Sequence, residues 1–527
     1  MTDVIAPLLL DCYKTDHKRF YPEGTEFVSS NLTARSAKYA TVPEEYHENK
    51  VVFFGLSYFI QEYLVDYWNK NFFELDVDDV CQKYEDFLLS YLGPNSIGSS
   101  HIRALHNLGY LPIRIKALPE GTRVPIQVPM LIVENTVPEF FWVTNYLETM
   151  ISCSIWKPIV NATTAHSIRS MLDYWCMKTG GDAGFVPLQG HDFSFRGMSG
   201  LEDACVSGMA HLTSFVGSDT LPAAEYVDKY YNAYEVCDMT AVSVAATEHA
   251  VSSLSIVDIA EQLEQNGQYE DYKLSSYGEY SDIKEVAEYL MMKRYITELY
   301  PNGIVSIVGD TFDYFRSLTS IYPKLADEIL AREGKVVSRP DSGIPIDIIC
   351  GTEWDNESAD TPEGKGALRI LWETFGGETN SNGYKVLHPN VGLIYGDSMN
   401  FESCNAILER MEQMGFASTN VVFGIGSWTY NGPITRDSYG MAVKATFGIV
   451  NGKPREIYKD PKTGAGKKSA KGLLAVVTNA DGELALREQV PYDEYMQDVE
   501  NDAMETVFLD GKHLVKPDFQ EVRDRLS

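Results

Sequence analysis

The chain has 527 residues, 44% of them hydrophobic, and its 44 basic and 75 acidic residues give a formal charge of −31. That length exceeds one ordinary domain and supports a large core, while the charge repels nucleic acid and anionic membrane and so excludes both as partners. No run reaches the roughly 18 apolar residues of a membrane span, the N-terminus lacks a signal-like start, and the cysteines form no CxxC pair, so a cytoplasmic protein with reduced thiols is expected.

Residues 53–68 and 81–92 carry helical apolar spacing, and residues 111–133 alternate in short runs broken by Pro and Gly. An α+β segment over 1–155 with a small antiparallel sheet follows. From about residue 185 the texture changes. Short apolar runs each close on a polar or glycine residue, with amphipathic stretches between them: 242–246 runs into Glu248 and His249, 304–308 into Asp310, 335–338 into Arg339 and Asp341, 391–395 into Gly396 and Asp397, and 421–423 into Gly424 and Gly426. Strand, polar terminus and helix in repetition predict parallel βα units. Periodicity alone does not separate a closed barrel from an open sheet. Polar residues at the ends of many runs, with no single crevice, favour an irregular TIM-like α/β barrel over 156–435. Residues 436–527 hold β-like runs at 444–450 and 472–477, and are expected to pack back on the N-terminal segment as a second α+β domain. Residues 261–280 and the acidic stretch 351–366 read as surface loops.

In so acidic a chain, Arg196, Arg339 and Arg436, each near Asp and Gly, need a reason. Each alone suits a structural ion pair; together they suit a phosphate-rich ligand, whose oxygens match the guanidinium fork. Asp310, Asp341 and Asp397 close strand-like runs, where carboxylates can hold Mg²⁺, accept from ribose hydroxyls, or simply cap helices. The run from Phe423 to Ser427 is either a backbone approach to phosphate or a tight strand-to-helix turn, and it lacks the third glycine of a dinucleotide fingerprint. Lys462, Lys467, Lys468 and Lys471 lie among small residues in a loop that is either solvated or a polyphosphate lid. His249, next to Glu248, is a structural histidine or one poised to shuttle protons or accept a phosphoryl group.

The ordered series Asp11-Cys12-Tyr13-Lys14, Tyr110 to Lys116, His191-Asp192-Phe193 with Arg196-Gly197, Gly217 to Thr220, Glu248-His249, Arg339 to Gly343, Gly396-Asp397 and Thr435-Arg436-Asp437 resembles the nicotinamide phosphoribosyltransferases, a branch of the type II phosphoribosyltransferases, nearly end to end. The resemblance implies reaction of nicotinamide with 5-phosphoribosyl 1-pyrophosphate to give nicotinamide mononucleotide and pyrophosphate, with Mg²⁺ and with ATP as a coupled co-substrate. It implies a homodimer with shared active sites. Tyr13, from the partner subunit, and Phe193 would sandwich the nicotinamide ring, and Asp219 would accept from its carboxamide and repel nicotinate. Arg196, Arg339, Asp341, Gly396, Asp397, Gly426, Ser427 and Arg436 would hold the phosphoribosyl group, and Arg35, Lys444, Lys459 and Lys467 the pyrophosphate or ATP. Asp310 would sit at the Mg²⁺-pyrophosphate site, and His249, grouped with Glu248, Asp310 and Asp341, would be phosphorylated by ATP. A nicotinate phosphoribosyltransferase is the alternative that Asp219 argues against. An inactive scaffold relative is a further alternative, which the intact polar set opposes. The acidic segment 351–366 has no counterpart in this resemblance.

Overall fold

A computed structural model describes residues 4–273, 280, 282–459, 470–497 and 499–527. Two sheets organise it. The first is antiparallel, with strands in the order Lys453–Glu456, Ala442–Val450, Thr25–Thr33, Pro129–Asn135, Ile113–Ala117, Glu505–Leu509 and Lys512–His513. Two C-terminal strands flank the three N-terminal ones on each side of one sheet, as expected of a second domain built from the N- and C-terminal segments. Its central strands are apolar on the covered face and pack with the helix Val77–Leu92 and the aromatic residues Phe53, Phe54, Phe59 and Trp68 into one core.

The second sheet is parallel. Its strands follow one another in chain order: Gly190–Asp192, Gly217–Ser218, Ala245–Ala246, Asn302–Val308, Glu333–Arg339, Val391–Met399 and Val421–Ile425, with the last paired to the first. The join between the second and third strands is made by Val242, whose N–H donates to Val216 O at 2.7 Å and whose carbonyl accepts from Ser218 N at 2.9 Å. This closes the ring, a barrel of TIM type with irregular, very short strands in one arc. All C-terminal strand ends share one mouth. Helices such as Ile283–Arg294, Pro362–Phe375 and Phe401–Gln413 cover the outside and form a second core.

The helix Val143–Thr179 runs through position 155 without a break. Residues up to Ala162 join the first core, and residues from Ala165 the second. Its Pro158, in the helix interior, packs against Gly55, where a Cβ would lie 2.6 Å from Pro158 Cγ and where φ is +98°. Only glycine meets both demands. The two segments expected as loops are partly helical: Glu261 to Gln265 end the helix His249–Gln265, Tyr269–Lys273 form another, and Pro362–Phe375 begins inside the acidic stretch. Helical spacing there is short and masked by charged residues.

Candidate active site

Strand alternation places His191 and Phe193 on one face, and Lys335, Val337 and Arg339 on another inward-facing row. These residues, with Asp219, Ser243 and Ser306, line a cavity of about 180 Å³ along the barrel axis. One edge of the Phe193 ring lies against two neighbouring glycine backbones. A Cβ on Gly396 would come within 2.9 Å of its ring, and one on Gly424 within 2.4 Å. Gly424 thus makes room for an aromatic ring, where the sequence suggested an approach to phosphate. Gly426, by contrast, caps the helix Ser427–Tyr430 with open space where a Cβ would stand, and Ser427 packs its hydroxyl on Gly197, beside Arg196.

Asp219 follows the strand Gly217–Ser218. Its Oδ1 accepts from His191 Nε2 at 2.9 Å and from the Ser243 hydroxyl. Partial burial pushes its carboxyl upward, but the bonds from His191 and Ser243, with the charges of His191 and Arg339, outweigh burial and hold it below its ordinary value. An ionised carboxylate therefore stands at the cavity wall near Phe193. Sequence reasoning assigned no role to His191 or Ser243. The signal for His191 was its spacing of two from Phe193 on a strand, and for Ser243 a hydroxyl inside an apolar run.

His249 is the first residue of its helix, half-exposed, with Nε2 3.5 Å from Asp310 Oδ1 and 3.8 Å from Asp341 Oδ2. Asp310 is buried; its Oδ2 accepts from Asp341 N at 3.0 Å and Ser342 Oγ at 2.6 Å, while its Oδ1 has no hydrogen-bond donor among the described residues. Neither Asp310 nor Asp341 caps a helix; Asp313, Ile344 and Asn400 occupy the cap positions nearby. Asp397 lies in the strand Val391–Met399 directly after Gly396. Arg339 Nη2 donates to Thr247 O, two residues before His249, and its buried Nε–H has no acceptor among the described residues. A ligand oxygen there meets an unpaired donor. Arg196, Arg339 and Arg436 form no ion pair among the described residues. Glu248 is exposed and caps its helix through the backbone alone.

The remaining expected residues lie on the antiparallel domain. Tyr13 is 63% exposed beside Lys14, whose Nζ bonds Glu148 at 2.7 Å; Lys444 reaches the same Glu148 at 3.5 Å. Arg35 donates to Gly440 O at 2.8 Å and lines a separate cleft with Lys38 and His47. Lys459 is exposed, and Lys467 lies outside the described residues. One chain thus brings Phe193, Asp219, Arg339, Asp310, Asp341 and His249 to the barrel mouth, and groups Tyr13 and Lys444 elsewhere.

A closed parallel barrel whose mouth joins an aromatic ring, a fixed carboxylate, arginine forks and a carboxylate-flanked histidine is the layout of an enzyme acting on a phosphorylated small molecule. The sequence profile of the nicotinate phosphoribosyltransferase (NAPRTase) family matches residues 188–512, and that of the N-terminal domain of nicotinamide phosphoribosyltransferase matches residues 6–93. The chain is 46% identical to the nicotinamide phosphoribosyltransferase of Acinetobacter baylyi, over 99% of this chain and 97% of that protein, and 31% identical to that of Xanthomonas campestris, over 97% and 96%. Among solved structures, the human nicotinic acid phosphoribosyltransferase shares the fold, with a TM-score of 0.53 and 17% identity over 98% of this chain and 93% of that one. This protein belongs to the nicotinate phosphoribosyltransferase family.

Proposed function

We infer that the chain transfers the phosphoribosyl group of 5-phosphoribosyl 1-pyrophosphate to nicotinamide, giving nicotinamide mononucleotide and pyrophosphate in NAD salvage. Asp219 carries this reading. Held ionised by His191 and Ser243 beside the Phe193 ring, it accepts a hydrogen bond from a carboxamide NH₂ and repels the carboxylate of nicotinate. As the C1–oxygen bond breaks, its electron pair leaves on pyrophosphate, C1 gains positive charge, and the pyridine nitrogen lone pair closes the new C1–N bond. The work of the protein is then alignment and anion stabilisation. Phe193 positions the ring, and Arg196, Arg339 and Arg436 balance the leaving group.

Asp310, with a buried carboxylate oxygen lacking a donor, and Asp341 beside it fit a hard cation, since Mg²⁺ takes one or two carboxylates along with phosphate oxygens. Mg²⁺ held there would neutralise developing pyrophosphate charge. His249 takes the role of phosphoryl acceptor. Nε2 faces Asp310 and Asp341, and in the tautomer that keeps the proton on Nε2, Nδ1 supplies the lone pair that forms an N–P bond to the terminal phosphoryl of ATP as the bond to ADP breaks. The enzyme works as a homodimer, Tyr13 of the partner subunit facing Phe193. Five of the cysteines are buried as free thiols, which supports a reducing, cytoplasmic setting. Among the described residues no helix is long and apolar enough to cross a membrane.

The test compares kcat/KM for nicotinamide and nicotinate with Mg²⁺ and 5-phosphoribosyl 1-pyrophosphate. Nicotinamide is expected to be preferred, and Asp219→Ser to lose at least roughly tenfold of that preference, the scale of one charge-assisted hydrogen bond. Faster turnover of nicotinate by the wild type sinks the assignment.

A further inference from the structure

His211 lies on the helix Leu201–Leu212, outside the barrel and completely buried. Its Nε2 is 2.9 Å from Gly217 O and its Nδ1 is 2.7 Å from the Tyr430 hydroxyl. A carbonyl can only accept, so Nε2 carries the proton; Nδ1 then accepts from Tyr430. Phe215 stacks on the imidazole at 4.9 Å and fixes the ring plane. Burial, against the opposing charge of Asp192, lowers His211 to about 4, and burial raises the Tyr430 phenol, so both groups are neutral in this bond at physiological pH.

The two ends of this bridge belong to different parts of the mouth. Gly217 begins the strand that delivers Asp219, whose N–H donates to Asp192 O at 3.0 Å. Tyr430 ends the turn that starts at Gly426 and Ser427 and packs on Gly197; its carbonyl accepts from the buried Asn161 at 3.2 Å. In the barrel these two segments lie on opposite sides of the strand Gly190–Asp192, so no ladder hydrogen bond joins them. His211 does.

We propose that His211, through Tyr430, is a positioning residue that couples the phosphate-side turn to the placement of Asp219, so that the choice between nicotinamide and nicotinate depends on a residue touching neither. The inference rests on the nicotinamide-transfer reading. Tyr430→Phe removes only the hydroxyl, and His211→Gln keeps a donor for Gly217 O while losing the Tyr430 bond. Both variants, with the double variant, are assayed for the kcat/KM ratio of nicotinamide to nicotinate and for the KM of the phosphoribosyl donor, with thermal melting as a check on folding. Each single variant is expected to lower the ratio and raise the donor KM by about fivefold, the scale of one buried hydrogen bond, and the double variant to be no worse than either. A role confined to stability lowers rate for both substrates equally and leaves ratio and donor KM at wild-type values; that result in folded Tyr430→Phe, or additive losses in the double variant, overturns the proposal. If His211→Gln does not fold, Tyr430→Phe, which keeps the ring packing, decides alone. Wild-type preference for nicotinate refutes the amide reading, and coupling is still scored by whether Tyr430→Phe changes that preference.

Discussion

A methyl group added at Gly424 would lie 2.4 Å from Phe193 Cδ2 and 2.6 Å from Gly396 Cα. Both neighbours are too close, so the ring must move and the adjoining strand at Gly396 must shift with it. Gly424→Ala is expected to raise KM for nicotinamide roughly tenfold or more, consistent with overpacking at about 1–3 kcal/mol, while circular dichroism stays native; an unchanged KM removes Phe193 as the ring platform. The polar neighbours of His249 among the described residues are the carboxylates of Asp310 and Asp341, so its loss should spare the transfer step itself. His249→Ala is expected to abolish ATP stimulation and phosphoenzyme formation, measured with terminally labelled ATP, and to leave a slow basal reaction; persisting ATP stimulation refutes the phosphohistidine role. At this scale the sequence carried Phe193, Asp219 and His249 through their motifs. It did not carry Asp310 Oδ2 accepting from the Asp341 N–H and the Ser342 hydroxyl, or His211 bridging two segments, because such bonds join residues apart in sequence and leave no local spacing.

Among elements, the long barrel strands were legible because parallel strands buried on both faces read as apolar runs with polar ends; Asn302–Val308, Glu333–Arg339 and Val391–Met399 lie where the runs fell. The strands Gly190–Asp192 and Gly217–Ser218 are too short and glycine-rich to leave such a run, although Phe193 and Asp219 follow directly on their ends. The helix Ile283–Arg294 shows a further effect invisible in sequence. Its Glu288 is buried against Arg316 at 3.4 Å; burial, reinforced by the charge of Glu285, raises its carboxyl to about 7 in spite of Arg316 and Ser317. Because the folded value exceeds the unfolded one, this group adds stability that is full below the unfolded carboxylate range and is lost as pH rises through about 7. Glu288→Gln, neutral at every pH, should flatten that dependence: the fall in unfolding free energy between about pH 5 and 8 should shrink by on the order of 2 kcal/mol in urea titrations. An equal fall in wild type and variant would falsify the assignment.

Across the whole molecule, the interleaving of N- and C-terminal strands in one sheet decides which surfaces a chain can offer. Tyr13 stands exposed beside Lys14 and Lys444 on that domain, whereas Phe193 and Asp219 line the barrel cavity. In the proposed homodimer, the ring sandwich of Tyr13 and Phe193 would be made across two chains, the antiparallel domain of each closing the barrel mouth of the other. The separation allows a test by complementation. Tyr13→Ala and Phe193→Ala homodimers each lack one side of the sandwich in both sites and should be nearly inactive. In a mixed dimer, the site formed by the Tyr13→Ala barrel and the N-terminal segment of the Phe193→Ala chain is intact, while the other site is doubly defective. Co-expression at equal levels makes about half of the dimers mixed, so nicotinamide mononucleotide synthesis should return to about one quarter of the wild-type rate, as follows from two-fold symmetry. If each chain instead supplied its own Tyr13, every site in the mixture would keep one defect, and activity would stay at the level of the separate variants.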